Sequence, residues 1–167
     1  VSLPSARYDT LPEIASFVQR LEARLRGVPG VESVGSVYGA PFGSGNIVGE
    51  VLVEGRPPPD PADETYGAVH PVTPGYFRTL EIPVLRGRGI EAGDRVETVP
   101  VAVVSETFVQ ENFPDEDPLG KRFRVTSSFG FRDPNPTWTV VGVVPDVKRS
   151  LQGQGWPSVY VPHSQFG

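Results

Sequence analysis

The sequence predicts an α+β fold, with mixed sheets and few helices. Glycine and proline number 19 each among 167 residues, which cuts the chain into many short elements. Only Leu11–Arg26 keeps a helical period over several turns. The strand-like runs follow one another without a regular βαβ rhythm, which argues against a doubly wound sheet. At 38% hydrophobic and 21% charged residues the chain is globular in composition. Its length suits one domain, or two small subdomains sharing a core.

In the helix, Leu11, Ile14, Val18, Leu21 and Leu25 recur at steps of three and four, so they line one face. Thr10 and Glu13 form a capping box, Gly27 supplies a stop, and Pro29-Gly30 turns the chain. Val31–Tyr38 reads as a strand and Gly39–Asn46 as a loop. Ile47–Glu54 sets Val51 and Val53 against Glu50 and Glu54, the alternation of a half-exposed strand. Arg56–Asp63 holds four prolines and reads as a surface connection. Tyr66–Val72 is the next strand. Thr73-Pro74 then opens a short helix through Leu80, with proline in the favoured first position.

Beyond Pro83 the texture changes. Arg86–Glu97 is polar and glycine-rich, Val99–Val104 is an apolar strand, and Ser105 caps a helix over Glu106–Asn112. Lys121–Thr126 alternates Phe123 and Val125 with Arg122 and Arg124. Ser127–Pro136 is a loop, and Trp138–Val144 and Val159–Val161 are strands. No internal repeat is visible.

The net charge of −5 and the lack of a basic stripe argue against a nucleic-acid partner. With no cysteine there is no disulfide and no thiolate metal site. No run approaches the ~18 apolar residues of a membrane span. There is no methionine, even at position 1, so the chain reads as a piece of something longer.

The most chemical stretch is NFPDEDPLGKRFRV, Asn112–Val125. With Asp115 as first calcium ligand, Asp117 and Gly120 fall at positions three and six of an EF-hand loop. Leu119 and Thr126 then stand where oxygen ligands are needed. A phosphate loop fails because Arg122 replaces the Ser/Thr after Lys121, and a strand pattern follows. The stretch is therefore expected to be a helix stop, a solvated acidic loop and a Pro-Leu-Gly turn. His70 and His163 each stand without a ligand or base at helical spacing. No catalytic, cofactor-binding or metal-binding residue is assigned. Two other readings stay open: a secreted hydrolase assembled in space around His70 or His163, and a carbohydrate- or peptide-binding module using Trp138, Trp156 and Tyr76.

Eight phrases together carry a family resemblance. They are LPSARY (Leu3–Tyr8), PGVESV (Pro29–Val34), VEGRPPP (Val53–Pro59) and VTPGYFRTLEIPVLRGR (Val72–Arg88). VPVAVVSETF (Val99–Phe108), FPDEDPLGKRF (Phe113–Phe123), WTVVGVVPDVK (Trp138–Lys148) and VYVPHSQ (Val159–Gln165) follow. In this order the chain resembles the periplasmic core domain of MacB/FtsX-type ABC transporter permeases, in particular the large duplicated permeases without a fused ATPase. The resemblance spans nearly the whole chain.

The resemblance implies a non-catalytic domain outside the cytoplasm, carried by an inner-membrane permease. It implies a βαβ-like porter subdomain, at residues 1–81 and 157–167, and an inserted mixed α/β sabre subdomain at 82–156. It implies coupling of membrane movements to substrate export. The implied partners are a periplasmic adaptor or lipoprotein, a second permease copy, and a separate cytoplasmic ATPase. No cofactor is implied. The porter part stops before its second βα unit, so an open sheet edge is expected, through which this fragment would self-associate.

Overall fold

A computed structural model of the chain describes residues 11–38, 47–60, 62, 64–126, 136–147 and 156–166. The expected loops Gly39–Asn46 and, apart from Pro136, Ser127–Pro136 lie outside the described residues, as does Thr10 of the capping box. Helix α1 spans Leu11–Arg26, β1 Ile47–Val53, β2 Tyr66–Val72, α2 Tyr76–Thr79 and β3 Arg86–Gly87. Then come β4 Val101–Ser105, α3 Glu106–Asn112, β5 Arg122–Thr126, β6 Trp138–Val144 and β7 Ser158–Pro162. The mixture of short helices with one mixed sheet is the α+β class that the sequence predicts.

The strands form one sheet in the order β3-β6-β4-β7-β2-β1-β5, and β5 pairs in turn with β6. Six strands therefore close into a ring. Closure rests on Arg122 opposite Thr139 and Phe123 opposite Trp138. Two pairs are parallel, β2 with β7 and β4 with β6, and the other ring contacts are antiparallel. No open ring edge of the expected kind occurs among the described strands. The edge that remains is the outer side of β3, two residues long and ending at Gly87 with a φ of 69°. The stretches expected as porter (β1, β2, β7) and sabre (β3 to β6) share this sheet, meeting where β1 pairs with β5 and β7 with β4.

Alternation sorts side chains to the two sides of the ring. Ile47, Val51, Val69, Ala102, Val104, Phe123, Val125, Trp138, Val140, Val159 and Val161 form one buried cluster inside it. Phe108 and Phe113, at the two ends of α3, join them, with ring centres of Phe108 and Phe123 4.9 Å apart. Burying each such aromatic contributes about 1.5–3 kcal/mol. The opposite face carries Val72, Val101, Val103, Val144 and Tyr160, covered by Tyr76 and Phe77 of α2 and by Ile90. In β6 the register slips between Ala102 and Val103, so Val141 bulges and Val143 returns inward. Gly142 sits at that bulge because a Cβ there would lie 2.0 Å from the Arg88 carbonyl oxygen.

Ser105 caps α3 as its sequence position predicts, its hydroxyl accepting from the Phe108 N–H at 3.4 Å. Asp146, after β6, caps the same helix by accepting from the Thr107 N–H and hydroxyl. Two expected elements differ. Val31–Tyr38 contributes only a bridge, Val37 to Val72, and no strand. In its partner strand β2, Pro71 has no N–H to give; it only accepts, from the Tyr38 N–H at 2.9 Å. Gly35 also packs directly on the Gly75–Tyr76 backbone. The second helix starts later than expected, at Tyr76 with Gly75 as N-cap and no side-chain cap. Thr73 does not cap it because its hydroxyl is committed to Glu22.

Candidate functional site

A cleft of about 490 Å³ lies at the point where α1 meets the sheet. One wall is α1, through Ala15, Val18, Gln19, Glu22 and Arg26. The facing walls are Val72–Pro74, Ile90–Arg95 and Pro162–Ser164. Ile14, Val18 and Leu21 of α1 are only half-buried, and no α1 residue belongs to either core cluster.

Glu22 anchors the helix here. It is 5% exposed and sits four residues after Val18, on the side that the apolar period assigns to the core. Its carboxylate accepts from Thr73 Oγ1 at 2.6 Å, Ser36 Oγ at 2.9 Å and Arg26 Nη2 at 2.7 Å. Thr73 Oγ1 in turn accepts from the Ser36 N–H at 2.9 Å. Burial of a carboxylate is tolerated because every partner is a donor. His163 follows β7, its N–H donating to the Val72 carbonyl at 2.8 Å. Burial lowers the pKa of its imidazole, against the opposing pull of the Glu22 carboxylate.

The opposite wall is folded around Asp94. Arg88 grips it with two hydrogen bonds of 2.8 Å, and the Glu91 N–H donates to it at 2.8 Å. Burial pushes the Asp94 pKa up, but these donors outweigh it and hold the carboxyl below its ordinary value. Ser164 Oγ donates to the Asp94 carbonyl at 2.6 Å. Gln165 accepts from the Val101 N–H, while its amide nitrogen donates to Arg95 O, Thr98 Oγ1 and Val99 O. The phrase VYVPHSQ thus works as a strand followed by a latch on the Asp94–Val101 segment.

The structure does not bring the two histidines into one catalytic arrangement. His70 is buried against Tyr160, ring centres 5.3 Å apart, whereas His163 faces the cleft. A triad needs a hydroxyl donating to an imidazole that is oriented by a carboxylate. Here Thr73 and Ser36 donate to the carboxylate directly. Of the aromatic platform, Trp138 is 1% and Tyr76 6% exposed, leaving Trp156 at 53%. Two buried rings do not make a stacking surface.

The acidic loop within Asn112–Val125 faces solvent as expected and adds ion pairs that its local sequence does not reveal. Glu116 is gripped by Arg56 and Lys121, and Asp117 accepts from Arg86 at 2.7 Å and from the Leu119 N–H at 3.0 Å. Arg56 also donates to the Asn112 carbonyl and lies over the Phe113 ring, 5.5 Å from its centre. The three acids are exposed, as expected, and two of them also form surface ion pairs. No group of three or more His, Asp or Glu among the described residues could hold a metal ion. No helix among them is long and apolar enough to cross a membrane.

The fold resembles that of solved periplasmic and extracellular domains. Against the periplasmic region of MacB from Actinobacillus actinomycetemcomitans, the TM-score is 0.52 at 19% identity, over 86% of this chain and 55% of that one. Against the extracellular domain of the noncanonic ABC-type transporter YknZ from Gram-positive bacteria, it is 0.52 at 19% identity, over 87% and 62%. The chain therefore spans little more than half the length of either structure. No curated relative matches it in sequence. The MacB-like periplasmic core domain model, however, matches residues 4–167, which include the closed ring, the latch at Ser164–Gln165 and both walls of the cleft. On that match, this chain belongs to the MacB-like periplasmic core domain family.

Proposed function

We propose that this domain is a non-catalytic, extracytoplasmic part of an ABC-type permease of the inner membrane, coupling membrane movements to substrate export. The family match over residues 4–167 is the observation that carries this reading. The solved domains with the same fold come from MacB and from an ABC-type transporter, which supports it. On this reading the porter-like part is 1–81 with 157–167 and the sabre-like part 82–156, joined along the β1–β5 and β4–β7 seams. Its partners are a periplasmic adaptor or lipoprotein, a second permease copy and a separate cytoplasmic ATPase.

Deleting residues 11–166 from the parent protein tests this. Export should stop, while the parent still inserts in the membrane and its ATPase still binds. A parent protein without membrane helices, or export that survives the deletion, would overturn the reading.

A further inference from the structure

The cleft under α1 has a chemistry of its own once internal pairs are subtracted. Glu22 is saturated by Thr73, Ser36 and Arg26, and Asp94 by Arg88 and the Glu91 N–H. Glu91 stands 3.9 Å from Arg88, a loose pair at the rim. The Arg95 guanidinium is different. Its Nε donates to the Ala92 carbonyl at 3.3 Å, and it makes no ion pair among the described residues. Gln19 and His163 line the same space without a side-chain hydrogen bond among those residues. What remains for a ligand is one cation and two neutral polar groups, set beside the accessible apolar side chains of Ala15, Val18 and Pro74; Val72, Ile90 and Pro162 are buried.

We propose that this cleft binds a small amphipathic carboxylate, with its apolar body against Ala15, Val18 and Pro74 and its carboxylate on Arg95. Apolar lining with a few convergent polar groups is the general form of a small-molecule site. A guanidinium free of internal carboxylates selects an anion, because a charge-assisted hydrogen bond is stronger than a neutral one. The site needs only the fold described above and does not depend on a transport role.

Calorimetric titration with N-octanoylglycine and its uncharged counterpart, N-octanoylglycinamide, tests the proposal on the 167-residue chain. The acid should bind one-to-one with a Kd below about 1 mM, and the amide at least about tenfold more weakly. Arg95→Ala should weaken the acid by about tenfold or more and leave the amide unchanged. Ala92→Trp, which fills the cleft from an exposed wall position, should abolish binding of both. Equal binding of acid and amide overturns the proposal, as does no binding of the acid at about 1 mM. Indifference to either substitution does the same. So does a concentration-dependent dimer that Ala92→Trp abolishes, because the cleft would then hold a second copy of the chain.

Discussion

At the residue scale, Glu22 and His163 define how α1 is held. Glu22→Ala would strand two hydroxyls that now donate to a buried acceptor, at a cost of about 1–3 kcal/mol. Hydrogen exchange should then quicken across Leu11–Arg26 more than in the ring strands. His163 gives a pH signature. Its folded pKa lies below the ordinary 6.5, so its contribution is complete above about pH 6.5 and is lost as pH falls through the folded value. His163→Asn should flatten that part of the stability–pH curve in urea titrations between pH 7 and pH 5. Glu22 was missed in the sequence, although a charge four residues after Val18 on a core-facing stripe is the signal that calls for buried donors. The donors themselves, Thr73 and Ser36, were not legible, since they arrive from positions with no local tie to the helix. The acids of Asn112–Val125 are exposed as expected, but their pairing was not legible for the same reason: Arg56 and Arg86, their counter-charges, lie far away in sequence. With Glu116 and Asp117 so occupied, millimolar calcium should leave the melting temperature unchanged.

At the element scale, periodicity fixed α1, β2 and β6 to the residue, while the elements whose ends depend on distant contacts shifted. The end of α2 shows what local pattern conceals. The Ile82 N–H bonds to Phe77 O and the Glu81 N–H to Arg78 O, a Schellman motif whose left-handed position, φ 54°, is held by Glu81. Glycine is the usual residue there, and a side chain is strained. Glu81→Gly should therefore stabilise the domain by about 0.5–1 kcal/mol, read from the urea midpoint at constant m-value. At the β6 bulge the opposite holds. A methyl group at Gly142 meets the Arg88 carbonyl, so Gly142→Ala should cost about 1–3 kcal/mol and loosen β3 first.

At the scale of the whole molecule, the sequence conveyed the class but not the closure. Which strand neighbours which depends on contacts between distant stretches, and strand patterns carry only the faces. The porter-like and sabre-like stretches expected on either side of Pro83 contribute to one inner cluster, which draws Ile47, Val51 and Val69 together with Phe108, Phe123 and Trp138. A shared interior predicts shared unfolding. Fluorescence and far-UV circular dichroism should report one coincident transition in denaturant, and Phe123→Ala should shift both by about 3–5 kcal/mol. Two separated transitions would show that the halves are independent after all. The position of β7 carries a consequence for biosynthesis. The strand that comes last in this sheet's chain order, β7, lies between β2 and β4, which precede it by many residues. Until residue 162 has been synthesised, both of those strands present bare edges, and the long-range pairing that seals them is slow. A chain truncated ahead of Trp156 therefore leaves both edges bare, and it should aggregate where the chain through residue 166 does not.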